Sequence, residues 1–416
     1  MNEPAKDAEV RDHKKLGKEL DLFTFSDAVG KGLPLWTPKG SVIRRELERF
    51  IVDEEIKRGY QHVYTPDIAK LDLYKKSGHY PHYKDSMYAP IVIDDEEFML
   101  RPMTCPHHFE LYLDKPHSYR ELPMRIAELA KLYRYEQSGE LMGLQRVRSF
   151  CLADAHIICA DEQQAADEVS KALDLIEYAA GVFGLKQGEH YHFRLSLGDR
   201  ANTEKYYKND AAWEKGEMLL REVLQKRGEK FAEAKDEAAF YGPKIDVQMK
   251  NVNGKEDTAF TVQYDFCMPD RFDLTYAAAD GTKKRAFVVH RSSIGAIERL
   301  VAFLIERYAG AFPLWLSPVQ VSVLPVSDKQ LAYAQEIVDQ LKAQHIRAEL
   351  NDGDSLGKRI RGAKVAKIPY SIVVGDNEVQ SKTITAENNR NGEKQNVALA
   401  EFLPTLLQKI HDRAND

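Results

Sequence analysis

Strand-like segments succeed one another through most of this chain without a helix between each pair. They fall at residues 90–93, 98–100, 127–136, 147–158, 244–249, 260–265 and 286–290, and several are short and separated by turns. YQHVYTP is a further one, closed by Pro66. A helix is expected at residues 40–59. There Val42, Ile43, Leu47, Phe50, Ile51 and Ile56 recur near helical spacing, and Gly59 supplies the stop. A doubly wound parallel sheet requires strand and helix to alternate. This layout excludes it and leaves a β-rich body with helices inserted. The two usual glycine-rich phosphate cradles, G-x-G-x-x-G after a strand and G-x-x-x-x-G-K-S/T, are both missing.

The texture changes at FPLWLSP, residues 312–318. Beyond it lie a strand in VQVSVLPV, a helix at 328–342, a strand in IRAEL and a helix at 356–365. The strands YSIVVG and SKTITAE follow, then a closing helix at 397–410. This β-α-β-α-β-β-α unit of about 100 residues reads as a separate α/β domain. A length of 416 residues is consistent with two or three domains. The expected division is a lead-in over 1–25, a body over 26–314 and the α/β domain over 315–416.

Lys and Arg number 59 against 65 Asp and Glu, a net charge of −6. A wholesale basic, polymer-coating protein is excluded, and any nucleic-acid contact must be a local patch. With 43% hydrophobic and 30% charged residues, a disordered or fibrous chain is excluded too. Cys105, Cys151, Cys159 and Cys267 are too few for a disulfide scaffold and fit a reducing compartment. No apolar run is long enough to span a bilayer, and MNEPAKDAEVRDHKK lacks the apolar core of a secretory signal. A cytoplasmic protein is expected.

YRYEQSGELMGLQRVRSF carries Arg134, Glu136, Arg146 and Arg148 on what reads as strand, loop, strand. Arginines on adjacent antiparallel strands can aim several guanidinium forks into one cleft, where bidentate contacts suit phosphate. Glu136, two residues from Arg134, shares its strand face and could accept from an amino group such as that of adenine. An exposed ion-pair ladder is the plainer reading. It loses ground because Arg299 stands on a mostly apolar helix, and a buried arginine needs a partner or a ligand.

Cys105 in RPMTCPHH, His156 in ADAHI and His290 in AFVVH are far from zinc-finger spacing, and ordinary core residues are the default. If they converge, they form a three-ligand site with one position open. Asp154, Tyr241 and Gln263 are polar residues in strand-like apolar contexts. They could hold an ammonium or form a satisfied core network. Lys358, Arg359, Arg361, Lys364 and Lys367 form a basic run. Lys358, Arg361 and Lys364 share part of one helix face, which suits RNA phosphate or plain solvation.

Together these segments resemble one family, the threonyl-tRNA synthetases of class II, from about Arg11 to the C-terminus. Motif 1 is placed at the helix and strand ending in GYQHVYTPDI, motif 2 in YRYEQSGELMGLQRVRSF and motif 3 in GAIER. MTCPHH, DAHI and VVHR match the zinc-ligand segments, and FYGPK and TVQYD the substrate pocket. The resemblance implies an α+β fold: an antiparallel sheet flanked by helices, then a C-terminal α/β anticodon-binding domain. It implies a threonine–tRNA ligase that activates L-threonine with ATP and Mg2+ and loads tRNA(Thr).

By that likeness Arg134 holds the α-phosphate, Glu136 the adenine amino group and Arg146 the terminal phosphate. Phe150 and Arg299 sandwich adenine. Cys105, His156 and His290 bind Zn2+, which threonine chelates through its amino and hydroxyl groups. Asp154, Tyr241 and Gln263 complete the pocket, with Lys244 near the chemistry. Lys358, Arg359, Arg361 and Glu378 face tRNA. Motif 1 implies a homodimer.

Departures from the family pattern are His107 for a glycine, Leu152 and Ala153 for Gln-Asp, and Ala296 for a serine. TAENN stands where the anticodon-reading strand carries an arginine. Two rivals remain, a paralogue loading a non-tRNA acceptor and a non-catalytic RNA-binding relative. The first should lack the anticodon domain; the second should lose Arg134, Arg299 or a zinc ligand. The chain begins near the catalytic lead-in, so the expectation is that the N-terminal editing region is absent. Serine mischarging, or an editing factor acting in trans, would follow.

Overall fold

The computed structural model describes residues 11–252 and 254–415. Packing divides the chain into two units. One comprises Phe25–Pro34 and Glu48–Ala302, the other Met1–Thr24, Leu35–Leu47 and Phe303–Asp416. Residues 1–10 of the expected lead-in lie outside the described residues. The remainder of the lead-in holds a helix, His13–Glu19, capped by the Asp12 carboxylate, which accepts from the Lys14 N–H.

The larger unit is built on eight strands: β1 (Gln61–His62), β2 (Met124–Tyr133), β3 (Ser149–Cys159), β4 (Tyr191–Ser196), β5 (Phe231–Ala234), β6 (Lys244–Lys250), β7 (Glu256–Asp265) and β8 (Phe287–Ala296). Their spatial order is β5-β4-β6-β7-β8-β3-β2-β1. The inner pairs are antiparallel, while β5 joins β4 and β1 joins β2 in parallel. The expected antiparallel-dominated sheet flanked by helices is what the chain forms.

The longer helices up to residue 308 are α1 (Pro38–Lys57), α2 (Cys105–Leu113), α3 (Glu162–Val182), α4 (Asp210–Lys226) and α5 (Ile297–Tyr308). The side chain of Asp161 caps α3 by accepting from the Gln164 N–H at 2.8 Å. The buried stripe Ala165, Val169, Ala172, Leu173, Ile176 and Ala180 then lies against β7 and β8. The other sheet face is left for the pocket.

The smaller unit carries β9 (Val321–Pro325), β10 (Ala348–Leu350), β11 (Tyr370–Val374), β12 (Thr383–Asn388) and β13 (Lys394–Ala398) in the order β10-β9-β11-β12-β13. Helices α6 (Leu331–Ala343), α7 (Leu356–Val365) and α8 (Leu399–His411) belong to it. Val321, Val323, Ile337, Leu341, Ile372 and Phe402 are part of its core. Among the described residues no helix is long and apolar enough to cross a membrane.

Several expected boundaries move. The strand read at 127–136 stops at Tyr133, so Arg134 and Glu136 stand beyond it rather than on one strand face. His156 and His290, read as strand ends, lie inside β3 and β8. Strands β4 and β5 and helices α3 and α4 go beyond the sequence reading. So do β13 and a short helix, Asp376–Ser381, in the C-terminal domain. There the helix read at 328–342 opens as a tight turn at Asp328–Gln330 before α6.

Candidate active site

Five neighbouring strands present their polar side chains in two rows. In one row Lys244 faces Gln263, Gln263 faces His290, His290 faces His156 and His156 faces Ile126. In the other, Asp246, Thr261, Ser292, Asp154 and Glu128 follow in the same strand order. Two-residue spacing along each strand puts both rows on one face. This face, the start of α2, residues around motif 2 and the start of α5 enclose a pocket of about 310 Å³. Cys105, Arg134, Glu136, Arg146, Phe150, Asp154, His156, Tyr241, Lys244, Gln263, His290 and Arg299 all line it.

The end of β8 shows why a glycine is needed. Gly295 has φ +65°, and a Cβ there would strike the Ala259 carbonyl. Without it, Arg299 could not follow β8 so closely against the β7 backbone.

At one end of the pocket the ligand atoms of Cys105, His156 and His290 lie within 4.8 Å of one another, all buried. Cys105 opens α2, with Pro106 in the first turn, where a missing N–H is harmless. His290 Nε2 bonds Asp265 Oδ2 at 2.7 Å, and Asp265 Oδ1 accepts from the N–H groups of Cys267 and Met268. That leaves His290 Nδ1 for another partner. Burial, aided by Asp154 and Asp265, pushes the Cys105 thiol well up, and burial holds His156 well below the usual histidine range. One thiol and two imidazoles are donor types that a borderline-soft divalent ion takes, and three such ligands would leave a fourth position open. His108 does not join them; its Nδ1 lies 2.8 Å from His156 Nδ1. His107 points elsewhere, with its ring 6.3 Å from that of Tyr74.

Beside this cluster Asp154 is buried, which raises its carboxyl. The Tyr241 hydroxyl donates to Gln263 Oε1, and its ring stacks on His290 at 4.9 Å. Tyr241 sits in a turn, not on a strand. Lys244 Nζ reaches Asp246 at 2.9 Å. At the other end Arg299 is anchored through Nε to the Gln145 carbonyl at 3.0 Å and through Nη1 to the Thr258 carbonyl at 2.6 Å. Burial lowers its pKa, and the like charges of Arg134 and Arg146 add to that. A guanidinium stays protonated, so this crowding of positive charge favours a bound polyanion. Arg134 lies over the Phe150 ring at 5.1 Å, and Arg146 is partly exposed beside Glu140.

The residues expected to face tRNA lie in the smaller unit. Lys358, Arg361 and Lys364 are exposed on α7, whereas Arg359 is only 7% exposed and donates to the Asn351 carbonyl. Lys364 pairs with Glu387 at 2.6 Å. Glu378 accepts from the Gly375 N–H and the Thr385 hydroxyl.

Residues 88–308 match the tRNA synthetase class II core domain family of the glycine, histidine, proline, serine and threonine enzymes. The chain belongs to the class II tRNA synthetases. Residues 320–409 match the anticodon-binding domain family. The synthetase chain is 50% identical over 409 residues to the threonine–tRNA ligase of Geobacillus kaustophilus, covering 98% of itself and 62% of that protein. To the threonine–tRNA ligase of Listeria welshimeri it is 48% identical over 407 residues, 97% of itself and 63% of that protein. It thus spans less than two thirds of these curated relatives. Its fold matches the RNA-binding domain of threonyl-tRNA synthetase from Cryptosporidium parvum with a TM-score of 0.90 at 32% identity, covering 95% and 98% of the two chains. The resemblance read from the motifs is borne out.

Thr261, Ser292 and Asp265 were missed as site residues. The period of two would have reached them from Gln263 and His290, but Ser and Thr are too common on strands to draw notice.

Proposed function

We propose that this synthetase is a threonine–tRNA ligase, using ATP with Mg2+ to activate L-threonine and passing it to tRNA(Thr). The observation that carries the reading is that Cys105, His156 and His290 meet in the same pocket as Arg134, Glu136 and Arg299. Zn2+ suits the donor set. When bound it supplies a Lewis-acid contact that amino and hydroxyl groups fill together, which disfavours valine.

Asp154, Tyr241 and Gln263 hold threonine around that contact. Glu136 accepts from the adenine amino group, Phe150 and Arg299 cover its two faces, and Arg146 meets the terminal phosphate. A threonine carboxylate oxygen attacks the α-phosphorus, the bond to pyrophosphate breaks, and pyrophosphate leaves. Arg134, with Lys244 nearby, stabilises the charge that builds there. A hydroxyl of the terminal tRNA ribose then attacks the threonyl carbonyl, and AMP leaves. Lys358, Arg361 and Glu378 form the tRNA-facing set of the anticodon domain, while the buried Arg359 braces α7 through the Asn351 carbonyl. Domain limits at 26–314 and 315–416, a homodimer through motif 1 and a cytoplasmic setting complete the reading.

Threonine-dependent exchange of pyrophosphate into ATP tests the first step and charging of tRNA(Thr) the second. No exchange by the zinc-loaded protein would overturn the ligase reading; exchange without charging would favour a different acceptor. Cys105→Ala is expected to lose both zinc and threonine activation. A metal-free, fully active Cys105→Ala variant would refute the zinc assignment. Serine lacks only a methyl, worth roughly 1–3 kcal/mol, so measurable serine activation is also expected.

A further inference from the structure

We infer that His108 and Glu128 are positioning residues that hold His156 in the one tautomer able to bind a metal ion. This rests on the zinc reading above.

His108 lies on α2 three residues after Cys105, so the helix turn that presents the thiol also turns His108 toward β3. Its ring is fully buried, with Nδ1 2.8 Å from His156 Nδ1 and Nε2 3.2 Å from Glu128 Oε2. Glu128 stands on β2 in register with Asp154. Its carboxylate also accepts from the Thr65 N–H at 3.2 Å, the Thr65 hydroxyl at 2.7 Å and Arg101 Nη2 at 3.0 Å. Arg101 is itself 2% exposed and fixed through Nε to the Lys131 carbonyl. Surrounded by donors, Glu128 acts only as an acceptor.

Proton accounting then leaves one consistent arrangement for a metal-bound site. A coordinating His156 Nε2 carries no proton, so His156 has its proton on Nδ1. That proton needs an acceptor, and the group within reach is His108 Nδ1. His108 must therefore carry its own proton on Nε2, which Glu128 accepts. Every buried donor in the chain Glu128–His108–His156 is satisfied. The reverse arrangement puts a proton on His156 Nε2 and blocks the metal position. His290 reaches the same end more directly through Asp265. Such outer partners set ligand tautomer and orientation.

The test measures zinc affinity of the full chain by chelator competition, and the visible spectrum of the cobalt-substituted protein. His108→Leu removes the acceptor. His108→Gln keeps it, with Oε1 facing His156 and the amide N–H facing Glu128. Zinc binding is expected to weaken roughly 10–100-fold in His108→Leu, with a shifted cobalt spectrum. His108→Gln should stay within a few-fold of the parent in affinity and keep its spectrum. Parental affinity and spectrum in His108→Leu, or an equal loss in both variants, would overturn the proposal. Should His108→Leu fail to fold, long-range 1H–15N spectra of the histidine-labelled, zinc-loaded parent decide it. His156 must then show a protonated Nδ1 and His108 a protonated Nε2; any other pattern refutes the relay. A parent chain that binds no zinc would overturn the metal reading itself, and the relay with it.

Discussion

The Ser292 hydroxyl is buried on the pocket floor between Thr261 and Asp154, without a hydrogen-bond partner among the described residues. Leaving a buried hydroxyl unpaired costs on the order of 1–3 kcal/mol, and a bound amino acid can supply the partner. Ser292→Ala is therefore expected to leave the free protein as stable or up to about 1 kcal/mol more stable. It should raise the KM for threonine several-fold. Denaturant melts and exchange kinetics on one preparation check both signs, and an unchanged KM removes Ser292 from the substrate's surroundings. At this scale much was legible. Two histidines and an aspartate in apolar strand-like contexts, and an arginine on an apolar helix, are costly unless used. The partners that orient them were not legible. His108 acts on His156 across the gap from α2 to β3, a contact that no spacing rule announces.

Helix α3 and the end of α4 share a tight group of charges. Arg227 Nη2 meets Glu177 at 2.5 Å. Burial, with the hydrogen bond that the protonated Glu177 donates to the Glu229 carboxylate, nevertheless raises the Glu177 carboxyl to about 7. The folded chain therefore holds a proton that the unfolded chain releases near pH 4.5. This contribution to stability is complete below that pH and is lost as pH rises through about 7. The parent is expected to lose more unfolding free energy between pH 5 and pH 8 than Glu177→Gln does, measured by chemical denaturation at both pH values. Among elements, α1 and the strand-like runs were readable because their apolar residues recur at a clear period. The strand read at 286–290 runs on through Ser292 to Ala296, and serine and glycine carry little strand propensity to announce that extension. In the fold Gly295 passes close against the Ala259 carbonyl of β7, and Ala296 pairs with Leu152 of β3. Which strand lies beside which is a non-local pairing, and the sequence carries no local signal for it.

Across the whole molecule a net charge of −6 leaves RNA attraction to local patches such as the exposed Lys358, Arg361 and Lys364 on α7. Lys358→Ala combined with Arg361→Ala is expected to lower kcat/KM for tRNA charging several-fold and to flatten its salt dependence. Pyrophosphate exchange should be untouched. A parallel fall in exchange would mean that these residues serve the first step as well.

The two-row floor has a consequence for synthesis on the ribosome. Its strands are drawn from far-apart stretches of chain, and β8 sits between β7 and β3. A nascent chain that has not yet released Phe287–Ala296 has neither His290 nor Ser292, and β7 and β3 have no strand to join them. It cannot acquire the pocket piecemeal, and small ligands cannot rescue it early. A chain ending at Ala286 is therefore expected to gain no thermal stabilisation from ATP with threonine, whereas the full chain should melt several degrees higher with both. Equal stabilisation of the two would show that the site matures before its central strand is made.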